Sequence, residues 1–214
     1  MDVNKCIEHT NLKAFTTKKD VEKLCHEAIK YNFASVCVNP YYVTLANELL
    51  IRSNVNVCTV IGFPLGQNTI EVKAYEAKTA IDNGADEIDM VINIAALKDK
   101  YYDYVKEEIK LIKEEAKEKV LKVIIETCYL TEEEIVIMTK ICNELEVDFI
   151  KTSTGFGSDG AKKEDIKLIN KYKNEKLQIK ASGGIKTREQ VIDFINNGVT
   201  RIGTSNGIKI MEGE

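Results

Sequence analysis

The feature that most constrains this chain is a regular alternation between short apolar runs and longer charged segments. The apolar runs are rich in valine and isoleucine, whereas the charged segments place an apolar residue every three or four positions. Residues 104–117 are typical: Val105, Ile109 and Ile112 fall on one stripe, with lysines and glutamates elsewhere. This pattern predicts repeated strand–helix units that build a parallel sheet covered by helices.

Eight such apolar runs occur in the 214 residues of the chain. They lie at 6–11, 34–39, 56–61, 86–92, 121–127, 149–152, 177–181 and 201–204. Eight strands alternating with helices in this length fit an α/β fold of the (β/α)8 TIM-barrel type, formed as a single domain over residues 1–214. A doubly wound open sheet is the alternative, but the chain has no G-x-G-x-x-G motif in its first turn.

Helix starts are marked by capping boxes, in which a threonine and an acid or amide three residues later satisfy exposed backbone amides reciprocally. Two such boxes come shortly after apolar runs, at Thr131 with Glu134 and at Thr187 with Gln190. They predict helices that begin at these threonines and follow the fifth and seventh strands.

Composition and charge exclude several classes of function. The net charge of −4 comes from interspersed lysine and glutamate, without a basic block that could follow a phosphate backbone, so nucleic acid is not an expected partner. No apolar run approaches the roughly 20 residues needed to cross a bilayer, and the first residues lack the apolar core of a signal peptide. We therefore expect no membrane association and a cytoplasmic location.

The cysteines and histidines do not indicate a metal site. Six cysteines are scattered without a C-x-x-C pair, and several lie in apolar runs, which predicts reduced and mostly buried thiols. With His9 and His26 as the only histidines, a zinc or iron site would need carboxylates and thiols that show no ligand spacing. We expect neither a metal nor another cofactor.

Four strands carry polar or charged residues on the side that should face the barrel interior. Side chains alternate along a strand, so the apolar residues that pack under the helices identify the opposite, inward set. The inward residues predicted in this way are Glu87, Asp89, Val91, Lys122, Ile124, Glu126, Phe149, Lys151, Ser153, Gln178, Lys180 and Ser182. Because a buried unpaired charge is costly, the charged members must be paired, exposed at the barrel mouth or used in function.

Lys151, Lys180 and Asp89 lie towards the carboxyl ends of their strands, where barrel enzymes place their active sites. Two neighbouring lysines in a partly desolvated site favour a neutral amine that can attack a carbonyl, and a carboxylate beside them can shuttle protons. These residues indicate Schiff-base catalysis, although strand parity does not identify the nucleophilic lysine. The alternative is a layer of paired charges without function, and Lys122 with Glu126 could form such a layer.

The turns after the seventh and eighth strands are rich in glycine and hydroxyl residues. They read Ser182-Gly-Gly-Ile185 and Gly203-Thr-Ser-Asn-Gly207. Barrels that bind phosphorylated substrates form their anion site from these two loops, whose free amides point at the phosphate oxygens. We predict a phosphate site here, closed on a third side by Thr154 and Gly155.

Four motifs in this order resemble those of the deoxyribose-phosphate aldolase family. They are Asp86-Glu-Ile-Asp89, Lys122-Val-Ile-Ile-Glu-Thr127, Lys151-Thr-Ser-Thr-Gly-Phe156 and Lys180-Ala-Ser-Gly-Gly-Ile185. The resemblance covers nearly the whole chain. It implies a metal-free class I aldolase on a TIM barrel that cleaves 2-deoxy-D-ribose 5-phosphate to glyceraldehyde 3-phosphate and acetaldehyde, a step of deoxyribonucleotide catabolism.

The resemblance also implies roles for individual residues. Lys151 would form the imine, Lys180 would lower the proton affinity of Lys151, and Asp89 would relay protons. The residues implied for the phosphate are Gly183, Gly184, Gly203, Thr204 and Ser205. Cys37 matches a cysteine near the family's site, and we expect it to be a packing residue. A small-molecule phosphosugar is thus the expected partner, and family habit favours a homodimer.

The chain departs from the family pattern at a few positions. Glu8 stands where aspartate is frequent, Ala14 where proline is common and Asn206 where a second serine is frequent. The sequence given also lacks the longer tyrosine-ended tail of some members, so we expect help in proton transfer from such a tail to be absent or replaced. These three substitutions can shift the geometry of the site or its phosphate contacts.

Two other functions remain open at this point. A phosphosugar isomerase or epimerase on the same barrel would share the phosphate loops but would need a base such as His9 and no imine. A non-catalytic phosphate-binding barrel would show a broken lysine pair, whereas both Lys151 and Lys180 are present.

Overall fold

The computed structural model describes residues 2–213, in which eight parallel strands close into a barrel. The strands are β1 (Ile7–Asn11), β2 (Ser35–Val38), β3 (Asn56–Ile61), β4 (Glu87–Val91), β5 (Val120–Ile124), β6 (Phe149–Lys151), β7 (Gln178–Ser182) and β8 (Arg201–Thr204). Each strand pairs with the next, and β8 closes the barrel by pairing with β1. The predicted (β/α)8 barrel is confirmed, and each of the eight predicted strands is present, although the fifth ends three residues earlier than predicted.

Helices follow the strands and cover the outside of the barrel. Within residues 2–213 they are α1 (Lys18–Tyr31), α2 (Val43–Leu50), α3 (Ile70–Asp82), α4 (Ile94–Lys98), α5 (Tyr102–Ala116), α6 (Glu132–Glu144), α7 (Lys163–Tyr172), α8 (Arg188–Asn196) and α9 (Gly207–Glu212). The predicted capping boxes begin α6 and α8, with Thr131 and Thr187 as the caps. None of these helices is long and apolar enough to cross a membrane.

The main apolar core lies between the barrel and its helices, and a smaller cluster lies inside the barrel. Ile88, Met90, Val123 and Ile125 belong to the outer core, which confirms the parity prediction for β4 and β5. The inner cluster consists of Leu12, Cys37, Cys58 and Val60, with Phe63 packed against it. One side of the barrel interior is therefore apolar, and the charged residues occupy the other.

Two inward predictions need correction. β5 ends at Ile124, and Glu126 has a left-handed backbone with φ of 53°, so it lies in the turn after the strand. Gln178 opens β7 and is exposed, since it lies at the amino-terminal rim of the barrel rather than in its interior. Alternation stops applying to Glu126 because β5 has ended, whereas Gln178 keeps its register with Phe149 but lies at the open end of the barrel.

Strand register places the predicted catalytic residues beside one another. Asp89 on β4 is the register partner of Lys122 on β5, and Lys151 on β6 is the partner of Lys180 on β7. Since all four side chains point inward, two adjacent pairs face each other across the interior. The closed barrel thus brings together charges that are far apart in the chain.

Candidate active site

Asp89 lies at the centre of three lysines. Its Oδ2 accepts hydrogen bonds from Lys151 Nζ at 2.7 Å and Lys180 Nζ at 2.6 Å, and its Oδ1 accepts from Lys122 Nζ at 3.0 Å. Asp89 and Lys122 are fully buried, and Lys180 and Lys151 are nearly so. Lys151, Lys180 and Asp89, which the sequence predicts to point inward, are thus in direct contact inside the barrel.

The lysines determine the protonation of Asp89, and Asp89 in turn affects the protonation of Lys180. Burial disfavours the carboxylate, but the ammonium groups of Lys122, Lys151 and Lys180 outweigh it and hold the pKa of Asp89 well below its usual range. Burial likewise disfavours the ammonium of Lys180, but Asp89 and Glu8 outweigh it and raise the pKa of Lys180. Lys180 therefore stays protonated beside Lys151.

Two glutamates and an arginine support the lysines from below. Lys180 donates to Glu8, Lys122 donates to Glu87 at 2.5 Å, and Arg201 bonds Glu8 at 3.3 Å and Glu87 at 3.1 Å. Burial opposes ionisation of Glu87, but Lys122 and Arg201 prevail and lower its pKa to about 2. Glu8, a departure from the family pattern, thus still reaches Lys180.

The sequence reasoning missed Glu8 and Arg201 as members of this network. A signal existed for Glu8, because Ile7 packs in the outer core and alternation then turns Glu8 inward. For Arg201 the strand is too short to show a clear alternation. Lys122, which the sequence suggests as part of a supporting layer, lies beside the other lysines and contacts Asp89 and Glu87.

Of the three lysines on Asp89, Lys151 is the one that lines the cleft at the carboxyl ends of the strands. The cleft has a volume of about 480 Å³ and is bordered by the loops after β1, β6, β7 and β8. Lys180 and Asp89 lie beneath its floor. A ligand in the cleft therefore meets the amine of Lys151 first.

All seven predicted phosphate-site residues line this same cleft. They are Thr154, Gly155, Gly183, Gly184, Gly203, Thr204 and Ser205. The amides of Gly184 and Ser205 have no hydrogen-bond partner within residues 2–213, so they are available to an anion. Gly183 and Gly184 both have positive φ, of 84° and 75°, and a Cβ on Gly160 would come within 2.1 Å of the Gly183 oxygen. Glycine is needed at these three positions.

Thr204 holds the two phosphate loops together. Its hydroxyl donates to the Ile185 oxygen at 2.7 Å and accepts from the Asn206 amide at 3.0 Å. The departure at Asn206 leaves this bond intact, because the backbone of residue 206 makes it. The relative position of the loops after β7 and β8 is thereby fixed.

Glu126 does not join the layer around Lys122. Its Oε1 accepts from the Thr154 amide at 3.0 Å, and its Oε2 accepts from the Thr154 hydroxyl. The turn after β5 has moved the carboxylate from the barrel axis to the loop that follows Lys151. Sequence alternation could not show this, because it assumes that the strand continues to residue 126.

His9, the alternative base, points away from the barrel interior. Its Nε2 is 2.8 Å from Glu27 Oε2 on α1, and its ring packs against Phe33 in the outer layer. Burial lowers the pKa of His9 more than Glu27 raises it. His9 borders the cleft but lies between β1 and α1, on the opposite face of β1 from the lysine cluster.

Four potential metal ligands also lie inside the barrel. The ligand atoms of Glu8, Cys37, Cys58 and Asp89 are within 4.8 Å of one another. Both carboxylates already accept ammonium groups, and Cys58 donates to Asp89 Oδ1 at 3.2 Å. A cation at this place would have to displace Lys180, so the group does not fit a metal centre. Cys37 is buried in the inner apolar cluster, and the sequence reasoning did not identify Cys58.

Known proteins with similar sequences are aldolases, a class of enzyme that the lysine cluster beside the cleft suits. The sequence profile of the DeoC/LacD family aldolases matches residues 1–211. A curated deoxyribose-phosphate aldolase of Finegoldia magna is 55% identical over 213 residues, covering 100% of each chain.

Two solved structures extend the likeness to the coordinates. An aldolase called QR15 superposes with a TM-score of 0.95 at 46% identity, covering 99% of this chain and 95% of its own. Deoxyribose phosphate aldolase from Aeropyrum pernix, described as having a unique tetrameric structure, gives 0.89 at 31% identity, covering 98% of this chain and 89% of its own. With a family profile that spans almost its whole length, the chain belongs to the DeoC/LacD family of aldolases.

Proposed function

We propose that this protein is a class I aldolase that cleaves 2-deoxy-D-ribose 5-phosphate reversibly to D-glyceraldehyde 3-phosphate and acetaldehyde, with Lys151 as the imine-forming residue. The observation that carries the proposal is the position of Lys151. It shares an Asp89 oxygen with the protonated Lys180, yet it lines a cleft whose other wall is formed by the phosphate loops. An aldehyde bound by its phosphate there would present its carbonyl to the amine.

The charges around Lys151 suit imine chemistry. The positive charge of Lys180 lies beside Lys151 on the same Asp89 oxygen, and in this proposal the amine of Lys151 attacks as its neutral form. The amine attacks the C1 aldehyde, and loss of water gives a protonated imine. Electrons of the C2–C3 bond then move into this imine, which releases glyceraldehyde 3-phosphate and leaves an enamine. Protonation at C2 and hydrolysis release acetaldehyde, with Asp89 and its lysines relaying the protons.

The phosphate is held mainly by backbone groups in this proposal. Gly183, Gly184, Gly203, Thr204 and Ser205 provide two loops on one wall, and Gly155 faces them. Thr154, which the sequence groups with these residues, uses both of its donors on Glu126. Its role is therefore considered separately below.

The alternatives receive less support. An isomerase or epimerase needs a base that faces the substrate, but His9, at the border of the cleft, is bonded to Glu27 of α1 and packs against Phe33. A barrel without catalysis needs no reactive lysine, but the lysine pair is intact and centred on Asp89.

Borohydride reduction in the presence of acetaldehyde tests the proposal. Peptide mass mapping should find the reduced adduct on Lys151. Lys151→Ala should lose both the adduct and the retro-aldol activity, whereas Lys23→Ala, which alters another lysine of the cleft, should keep the adduct. An adduct at another lysine, or full activity in Lys151→Ala, would overturn the proposal.

For assembly and cellular context we propose a homodimer that works in deoxyribonucleotide catabolism in the cytoplasm. Exposed aromatic side chains support a contact between two copies of the chain. Phe15, Tyr41 and Tyr75 are each more than two-thirds exposed, and such apolar surface is typical of protein interfaces. The Aeropyrum pernix relative is described as a tetramer. Light scattering of the purified protein should give twice the mass of 24.1 kDa, and a tetramer or a monomer would contradict the proposal.

A further inference from the structure

Glu126 is a buried carboxylate beside the cleft that the proposed mechanism does not use. It is 1% exposed and lies in a left-handed turn, a conformation that is costly for a residue other than glycine. On either side of it the chain stays bonded to the β6 segment: the Ile125 amide donates to Lys151 and the Thr127 amide donates to Thr152. The chain thus advances two residues after β5, from Ile125 to Thr127, while it advances one residue after β6. This β-bulge turns Glu126 towards Thr154.

Both oxygens of Glu126 accept from Thr154. The Thr154 amide donates to Oε1 and the Thr154 hydroxyl donates to Oε2, so Thr154 has no donor left. The hydroxyl oxygen also accepts from the Phe156 amide at 3.0 Å, which leaves one lone pair. Since Thr154 lines the cleft, that lone pair is what it can present to a ligand.

A phosphate oxygen cannot use such a group, because it accepts hydrogen bonds and needs a donor. A hydroxyl of a ligand can use it. We propose that Glu126 makes Thr154 a hydrogen-bond acceptor that recognises a hydroxyl group of the substrate, so that Thr154 determines specificity and Glu126 is its positioning residue.

The inference rests on the proposed function, and the reaction identifies the hydroxyl. Between the imine carbon and the phosphate, deoxyribose 5-phosphate carries hydroxyls at C3 and C4. The C3 oxygen becomes the carbonyl of glyceraldehyde 3-phosphate and then has no proton to donate. The C4 hydroxyl keeps its proton in substrate and product alike. An acceptor without donors therefore matches the C4 hydroxyl, which is the C2 hydroxyl of glyceraldehyde 3-phosphate.

The test measures the reverse reaction, in which acetaldehyde is joined to an acceptor aldehyde. Two acceptors are compared: glyceraldehyde 3-phosphate, and 3-oxopropyl phosphate, which lacks this hydroxyl. The unaltered protein should prefer the hydroxylated aldehyde in kcat/KM by about 10-fold or more, since a site built for a hydroxyl disfavours the analogue without it. In Glu126→Gln the side-chain amide donates to Thr154, whose own proton then turns to the cleft. The preference should fall towards one.

Two variants at Thr154 complete the comparison. Thr154→Val should lose the preference, and Thr154→Ser, which keeps the hydroxyl, should retain it. If Glu126 and Thr154 only stabilise the loop, Glu126→Gln and Thr154→Val will slow both aldehydes equally and leave the ratio unchanged. That result would overturn the inference.

Two further measurements separate this inference from the proposed function. Trapping of the acetaldehyde imine on Lys151 tests the imine chemistry alone. If the imine forms but Glu126→Gln and Thr154→Val leave the kcat/KM ratio of the two acceptors unchanged, only the role of Thr154 is refuted. Binding is independent of the imine: Kd should favour glycerol phosphate of the matching configuration over 3-hydroxypropyl phosphate, and Glu126→Gln should remove the difference. Equal Kd values for the two ligands in the unaltered protein would also refute it.

Discussion

Two groups of buried charges in this molecule differ in how their charges are balanced. Outside the barrel, Lys73 of α3 and Glu108 of α5 form a fully buried pair. Lys73 also donates to the Gly66 oxygen at 2.6 Å and the Val91 oxygen at 2.8 Å, and Glu108 accepts from the Asn93 amide at 2.9 Å. All three N–H groups of Lys73 and both oxygens of Glu108 have partners, so the charges of the pair are fully satisfied.

Inside the barrel, one carboxylate of Asp89 receives three lysines, and one of them reaches the cleft. The pKa directions differ as well. For the outer pair burial prevails, lowering the pKa of Lys73 and raising that of Glu108. For the inner cluster the opposite charges prevail over burial, lowering the pKa of Asp89 and raising that of Lys180. Burial alone therefore does not indicate function, whereas an excess of one charge beside a cleft does.

The largest expected effect separates the two groups by activity. Lys151→Met should lower kcat by about 10⁴-fold or more, because the proposed nucleophile is removed. Its free energy of unfolding should change by no more than about 1 kcal/mol, since two ammonium groups still neutralise Asp89. Steady-state kinetics and urea unfolding measure the two quantities. A large loss of stability would mean that Lys151 is structural.

The opposite pattern is expected for the outer pair. Lys73→Met leaves Glu108 buried without its cation and should cost about 3–5 kcal/mol in the free energy of unfolding. Lys73→Met combined with Glu108→Leu should recover part of this loss, because no isolated charge remains. Imine formation on Lys151 should persist in the folded fraction of both variants. Loss of the imine in a folded variant would show that the pair also shapes the active site.

A fall in pH should change the free energy of unfolding through the two groups in opposite directions. It should remove stability that the inner cluster contributes and keep stability that the outer pair contributes. Glu87 has a folded-state pKa of about 2, below that of the unfolded chain, so its stabilisation is present above about pH 4 and is lost as the pH falls towards 2. Glu87→Gln should remove this loss, on the order of 3 kcal/mol.

The matched control is Glu108→Gln. Burial raises the pKa of Glu108, so its contribution is fully present at low pH and falls as the pH rises through the folded-state pKa. Urea unfolding between pH 2 and pH 6 should therefore show a flatter acid slope in Glu87→Gln but not in Glu108→Gln. Equal slopes in both variants would contradict the assignment.

The smallest expected effect lies within the inner cluster. Lys180→Met removes a positive charge that shares Asp89 Oδ2 with Lys151, and should move the pH profile of imine formation to higher pH. Lys122→Met removes a charge from the other oxygen and should shift the profile less. Rates of borohydride trapping against pH give both values. An unchanged profile in Lys180→Met would exclude the coupling.

Much of the site could be predicted because the relevant patterns are local. Alternation identified Asp89, Lys151 and Lys180 as inward residues, and the glycine-rich turns identified the loops of the cleft. The helical stripe of α3 also contains Lys73, together with Ile70, Ala74 and Ala77, so its burial was readable. Its partner was not, because Glu108 belongs to another helix and follows 35 residues later.

Other parts of the site depend on the ends of strands, where local patterns fail. Residues 121–127 read as one strand, but the segment leaves the sheet after Ile124 and Glu126 adopts a left-handed turn. Its partner Thr154 lies 28 residues further along the chain. No local property of the sequence predicts that bond or the loss of the Thr154 donors.

The sequence by itself determined the barrel, the approximate position of each strand and most of the side chains that face inward, because strand period and apolar burial act over a few neighbouring residues. Tertiary structure decided which charges share a carboxylate and which lysine meets the cleft. Asp89 and Lys180 are 91 residues apart in the chain, and Glu8 and Lys180 are 172 apart. Only closure of the barrel brings such residues within hydrogen-bond distance, and only the loops above it determine that Lys151 is the lysine of this cluster that lines the cleft.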